Sequence, residues 1–214
     1  MSAKGHNLKG NSLYPEFLIN KINDNLKYYI EKYERAPNIL REAIRYSIES
    51  GGKRFRPILC VVTAKSLGQD YEIAMPTACA IEFIHTYSLI HDDLPSIDND
   101  DLRRGKPTCH KKFGEDIAIL TGDALFSEAF NIIIKYQSSD AGKKIKVLGE
   151  IADATGVNGM ASGQIVDMYY EGKKISKERL EYMHKHKTGK LITASVRCAA
   201  IICGASGSDI KKLT

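Results

Sequence analysis

Between His91 and Gly105 the chain reads His-Asp-Asp-Leu-Pro-Ser-Ile-Asp-Asn-Asp-Asp-Leu-Arg-Arg-Gly, placing the five aspartates 92, 93, 98, 100 and 101 directly before Arg103 and Arg104. Carboxylate oxygens are hard ligands, and magnesium is held by one or two of them while waters and substrate phosphates complete its shell. Guanidinium groups meet phosphate through paired N–H donors. The two residue types together could hold a metal-bound phosphate ester. A run of charge is more commonly a solvated loop, and three features count against that reading. The cluster follows an apolar helix instead of lying between turns. On that helix His85 and Asp92 stand at i and i+7, on one face. Upstream, Gly51-Gly52-Lys53-Arg54-Phe55-Arg56-Pro57 joins a glycine turn to a helix start, where backbone N–H groups favour an anion.

Helices must position these groups. Phe17, Leu18, Ile22, Leu26, Tyr29, Ile30 and Tyr33 recur at three- and four-residue spacing, predicting an amphipathic helix from Tyr14. A break at Ala36-Pro37-Asn38 precedes a second helix through Ile39, Leu40, Ile44 and Ile48, which stops at Gly51-Gly52. The apolar run Ile58 to Leu67 is a third, closed by Gly68, and Pro76 opens a fourth that runs into the acidic cluster. Asp101 to Gly114 reads as a loop. Helices follow over 115–136, 143–159, 161–170 and 176–204, separated by Gly142, Gly159 and Gly172. No convincing strand alternation and no internal repeat appears. The fold class is all-α: long helices around a deep centre.

Composition sets the bounds. The 214 residues are 43% hydrophobic and 27% charged, an ordinary globular balance, neither disordered nor fibrous. The five cysteines are odd in number, far apart and without a CxxC pair, which argues against a disulfide framework or a structural zinc site and points to a reducing, cytoplasmic setting. A net charge of +5 suits anionic ligands and discriminates little else. No signal peptide is read, and the apolar stretch Leu191 to Ala205 is too short to span a membrane and contains Arg197. A flexible tail over 1–12 and one domain over 13–214 are expected, with no nucleic-acid partner.

Two motif readings fail on spacing. An EF-hand loop counted from Asp98 would need glycine and glutamate where Arg103 and Cys109 stand, and a phosphate-binding loop would need a glycine near Ile48 and Ser or Thr in place of Arg54. Further on, Gln164 and Asp167 share a helix face at i, i+3. Gly189, following Lys187 and Thr188 inside a helix, costs about 1 kcal/mol relative to alanine and hints at close approach by a neighbour.

Taken in order, GGKRFRP (51–57), IEFIHTYSLIHDDLPSIDNDDLRRGKPT (81–108), GDAL (122–125), GQIVD (163–167) and HKTGKL (186–191) resemble the trans-isoprenyl diphosphate synthases, within them the bacterial farnesyl diphosphate synthases. The block around 85–108 is highly specific; GQxxD and KTG gain force from their order. The resemblance implies an isoprenoid synthase-type bundle and a transferase that condenses an allylic diphosphate, dimethylallyl or geranyl, with isopentenyl diphosphate. Asp92 and Asp98, with Asp93 supporting, would be the magnesium ligands. Arg103 and Lys187 would hold the allylic diphosphate, and Gly52, Lys53, Arg56, His85 and Arg104 the isopentenyl diphosphate. The Thr188 oxygens and the Gln164 amide would face the allylic cation, and Tyr87 with Ser88 would limit chain length, giving a fifteen-carbon product. A homodimer is implied too.

The family also carries a second motif, Asp-Asp-x-x-Asp, on a later helix, and the sequence reaches Thr214 without it. A truncated chain with little condensation activity of its own is therefore expected. Two other classes are weighed. A synthase-like subunit could bind diphosphates or a partner chain without catalysis. His85 with His91-Asp92 matches in outline the metal site of HD-type phosphohydrolases, a reading that leaves GGKRFRP and DLRRGKPT without a role.

Overall fold

The computed structural model describes residues 16–214; the expected tail over 1–12 and the start at Tyr14 lie outside the described residues. Helices α1 (Glu16–Glu31), α2 (Asn38–Glu49), α3 (Phe55–Ser66) and α4 (Met75–Asp92) follow in order, the last entered through a short 3-10 turn. After the acidic segment come a two-stranded hairpin, β1 (Leu102–Arg103) with β2 (Lys106–Pro107), and the short helix α5 (Cys109–Phe113). Then α6 (Glu115–Tyr136), α7 (Ala141–Thr155), α8 (Met160–Tyr170), α9 (Lys177–His184), a π-helical turn (Lys185–Gly189), α10 (Lys190–Cys203) and α11 (Gly207–Leu213) complete the described chain. The all-α expectation holds.

Helix α4 is the axis of the core. It packs along α6 and α3, and α10 closes the same core against α3 and α7. Phe83, Ile81, Ile84, Ala78 and Cys79 are wholly buried. A helix apolar all round must lie inside, and only its last turns carry the polar groups His85, Ser88, His91 and Asp92 toward the surface.

Several expected boundaries shift for local reasons. Gly142 does not separate helices: Asp140 accepts a hydrogen bond from the Lys143 N–H and caps α7, leaving Gly142 in its first turn. The helix expected to reach 159 ends at Thr155. The expected loop over 101–114 contains the hairpin and α5, elements too short to leave a periodic trace. The helix expected over 176–204 is broken by the π-helical turn.

Two apolar stretches other than 191–205 bear on a bilayer. Tyr71–Asp92 and Glu115–Tyr136 are long and apolar enough to cross a membrane. The first is the buried core helix. The second packs on it with one face and exposes Leu120 (58%) and Ile134 (53%) on the other.

Candidate functional site

The site is built around the C-terminal half of α4. Beyond Asp92 the chain turns back on itself: the Asp98 N–H donates to the Asp92 carbonyl at 2.8 Å, and Asn99 takes a left-handed φ of 52° while its N–H donates to the Leu94 carbonyl. This return places Asp98 beside Asp92. The Asp92 carboxyl is pushed up to about 6, chiefly by burial, with Lys187 opposing and Asp98 reinforcing the rise. Two neighbouring carboxylates, hard oxygen donors both, suit a divalent cation.

Asp93 takes a different position. It is buried, and its carboxylate accepts from Nε and Nη2 of Arg103, with Nε at 2.8 Å from both oxygens. Asp93 thus supports the cluster by anchoring Arg103, and it is not open to an ion while this pair holds. Arg103 also lies 3.5 Å from Asp100. Among the described residues, no three His, Cys, Asp or Glu side chains converge into a closed metal cage. Ligation through one or two carboxylates, with phosphate completing the shell, remains compatible with the geometry.

Across from the carboxylates stand α8 and the π-helical turn. Gln164 Nε2 lies 3.5 Å from Asp98 Oδ1, and Gln164 Oε1 is a buried acceptor without a partner. This atom and the Asp92–Asp98 pair together fit a hydrated cation. Lys187 pairs with Asp167 at 2.5 Å, the acidic residue of GQIVD to which the sequence assigned no task beyond a shared face with Gln164. Thr188 is exposed on the same turn. Single π turns inside α-helices recur at functional sites because they re-aim one side chain.

The glycine that needs explaining is Gly163, not Gly189. A Cβ on Gly189 would meet nothing nearer than the His184 carbonyl at 3.6 Å, so the expected close approach is absent there. A Cβ on Gly163 would lie 2.1 Å from Lys187 N and 2.5 Å from its Cα. The missing side chain lets α8 and the π turn touch backbone to backbone, and this sets the distance from Gln164 and Asp167 to Lys187.

Two turns of α4 nearer its N-terminus, roughly 10 Å along the axis from Asp92, lies a cationic cleft lined by Gly52, Lys53, Arg54, Phe55, Arg56, Glu82, His85 and Arg104. All five residues expected to bind isopentenyl diphosphate are here. Gly51 (φ 94°) and Gly52 (φ 132°) make the turn, conformations that favour glycine. A Cβ on Gly52 would also lie 2.6 Å from Arg104 Nη1, while the Arg104 guanidinium donates to the Gly51 carbonyl. Arg56 Nε is buried with no partner. Burial lowers the pKa of Arg56 and Arg104, and Glu82 opposes that loss. His85 is held neutral, pushed down to about 3 by burial and then by Arg56, Arg104, Arg103 and Arg54. The cleft therefore presents guanidinium charge beside a neutral imidazole.

Tyr87 and Ser88 sit between the two groups. Tyr87 is half-buried, edge-on to Phe126 with centroids 5.0 Å apart and to His91 at 5.1 Å. The Ser88 hydroxyl donates back to the His85 carbonyl. His91 itself contacts the Ile119 carbonyl of α6 at 3.1 Å. A Cβ on Gly122 of the GDAL segment would strike the His91 ring, so Gly122 is what lets that ring lie against α6. With His85 in the arginine cleft and His91 on α6, the His/His-Asp site of a phosphohydrolase is not assembled.

Known proteins resemble this chain in sequence and in fold. The polyprenyl synthetase family pattern matches residues 37–214. The chain is 50% identical over 190 residues to a farnesyl diphosphate synthase of Geobacillus stearothermophilus, covering 88% of this chain and 64% of that protein. It is 50% identical over 185 residues to a protein of Arabidopsis thaliana named heterodimeric geranylgeranyl pyrophosphate synthase large subunit 1, covering 84% of this chain and 50% of that one. The crystal structure of an FPP/GFPP synthase from Zymomonas mobilis superposes with a TM-score of 0.85 at 35% identity, over 92% of this chain and 74% of that one. The chain thus spans less than two thirds of the length of these two curated relatives. With the family pattern matched over residues 37–214 and the helical architecture shared with a solved relative, the chain belongs to the polyprenyl synthetase family.

Proposed function

We propose that this chain carries the substrate-binding core of a magnesium-dependent prenyltransferase that joins an allylic diphosphate, dimethylallyl or geranyl, to isopentenyl diphosphate, giving mainly farnesyl diphosphate. The supporting observation is the pair of anion-directed groups on one face of α4: the Asp92–Asp98 carboxylates facing Lys187 and Gln164, and the Arg56–Arg104–His85 cleft two turns away. Two diphosphates bound there would lie with their hydrocarbon ends between them.

In this reading Asp92 and Asp98 hold the magnesium, which when bound neutralises a leaving diphosphate. Lys187, held by Asp167, and Arg103, held by Asp93, take the allylic diphosphate oxygens as the allylic C–O bond breaks. The Gln164 amide oxygen and the Thr188 oxygens face the carbocation. The isopentenyl double bond, positioned by Lys53, Arg56, Arg104, His85 and the Gly52 backbone, supplies the electron pair of the new C–C bond. A proton then leaves the adjacent carbon for the released diphosphate.

The test is calorimetric and enzymatic. Isopentenyl diphosphate titrated into the chain in magnesium-free buffer should bind, and Arg56→Ala should weaken that binding at least tenfold. Absence of binding by the unaltered chain, or indifference to Arg56→Ala, would overturn the reading. For condensation, the chain extended by the C-terminal third of the Geobacillus relative should turn over geranyl and isopentenyl diphosphates, whereas the 214-residue chain alone should show little turnover.

Product length rests on Tyr87. It lies five residues before Asp92, about 7.5 Å along the helix, and its ring is wedged against Phe126. In the extended chain Tyr87→Ala should shift product from fifteen carbons to twenty or more; an unchanged distribution would remove Tyr87 as the floor.

A non-catalytic subunit that pairs with a complete chain is favoured by one observation, the exposed apolar face of α6 with Leu120 and Ile134. The same face supports a homodimer, and light scattering of the purified chain, alone and mixed with a full-length relative, separates the two. Free thiols at all five cysteines suit the cytoplasm.

A further inference from the structure

Arg54 and Glu82 line the anion cleft, yet no step above uses them. Both are buried, with side chains 4% and 3% exposed, and they pair at 2.6 Å. The Arg54 guanidinium donates in three directions: Nε to Asn23 Oδ1 of α1 at 2.9 Å, Nη1 to Glu82 Oε1 of α4, and Nη2 to the Ile48 carbonyl of α2 at 2.7 Å. Its backbone has a left-handed φ of 48° at the N-cap of α3, an unusual conformation for a long side chain. Such strain persists where surroundings over-determine it, and here three helices hold the side chain. On one side of Arg54 in sequence is the Gly51–Lys53 turn, whose Gly51 carbonyl receives Arg104; two residues on is Arg56, with its unpartnered Nε. Glu82 is one turn before His85 on α4 and, among the described residues, the only carboxylate lining a cleft that holds three guanidiniums.

We infer that Arg54 and Glu82 are positioning residues of the anion cleft: the pair fixes the glycine turn and the start of α3 so that Arg56 and Arg104 converge on one diphosphate, with Glu82 offsetting their mutual repulsion. This rests on the proposed binding of isopentenyl diphosphate. Among the described residues neither Arg56 nor Arg104 has a carboxylate within ion-pair distance, so both guanidiniums are available to a ligand.

The pair can be removed without stranding a charge. Replacing a buried ion pair by apolar residues of similar volume is often neutral for stability, whereas removing one partner is strongly destabilising. The double variant Arg54→Met with Glu82→Leu deletes one cation and one anion, so the net charge of the cleft is unchanged and altered affinity reports geometry. Arg54→Lys keeps the charge but cannot reproduce the three-way fork.

The probe is isopentenyl diphosphate, titrated calorimetrically in magnesium-free buffer into each folded protein, with thermal unfolding recorded separately. The double variant should bind at least tenfold more weakly, and Arg54→Lys about three- to tenfold more weakly, without loss of helical signal. Affinities within twofold of the parent for the folded variants would overturn the inference while leaving the parent's binding, and so the functional reading, intact. If the double variant does not fold, Arg54→Lys decides by the same limits. If the parent itself does not bind, the functional reading falls and this inference with it.

Discussion

Replacement of Gly163 by alanine should cost about 3 kcal/mol of stability, at the upper end of what overpacking a well-packed contact usually costs. The added methyl would stand 2.1 Å from Lys187 N and 2.8 Å from the His186 carbonyl carbon. These are backbone atoms of the π-helical turn, and no rotamer change relieves the contact, so α8 and the turn must separate. Because Lys187 and its partner Asp167 are carried by those two elements, the same substitution should weaken binding of an allylic diphosphate even where the protein stays folded. Gly149 is the control. It lies within α7 with nothing inside 4 Å of its added Cβ, so alanine there should stabilise by roughly 0.5–1 kcal/mol. Urea unfolding of both variants checks the pair of signs; a Gly163→Ala midpoint equal to that of the parent would refute the close-packing account.

The second large effect is acid lability from His85. Its ordinary value of 6.5 falls to about 3 in the folded chain, by burial and by the arginines around it, with Glu82 the facing carboxylate. Between those values the unfolded chain binds a proton that the folded chain refuses, so stability falls as pH falls, by up to about 1.4 kcal/mol per unit. Asp92 acts in the opposite sense, since its raised value lets the folded chain take up a proton first as pH drops through about 6. The clean measurement is therefore a difference. Relative to His85→Gln, the parent should lose about 2 kcal/mol of urea-unfolding stability between pH 7 and pH 5. Equal losses in the two proteins would mean that His85 is not held neutral. Bound isopentenyl diphosphate should shrink the difference, because an anion beside the imidazole favours its protonated form.

Much of this site is legible in the residues alone. The i, i+7 relation of His85 and Asp92 follows from helical periodicity, and so does the burial of Leu18, Ile22, Leu26 and Ile30 on one face of α1. Gly51 and Gly52 announce the turn that the cleft requires, and the order of the five motifs identifies the family. These are local facts: spacing along one element, or a residue type whose backbone freedom has few other uses.

What the tertiary structure decided is which charges are already taken. The sequence names candidate carboxylates and cations without pairing them; only packing commits Asp93 to Arg103, Asp167 to Lys187 and Glu82 to Arg54. It leaves Asp98 lining one pocket beside Asp167, and Arg56, its Nε without a partner, lining the cationic cleft. The last two of those pairs join residues 20 and 28 positions apart on different helices, beyond the reach of any periodicity. The π turn and the need for glycine at 163 have the same origin, since both arise where α8 meets a segment that follows it by some twenty residues. Intrahelical spacing is fixed by 3.6 residues per turn, whereas the partner of a buried charge is fixed by where helices cross, and the sequence encodes that crossing only through the whole core.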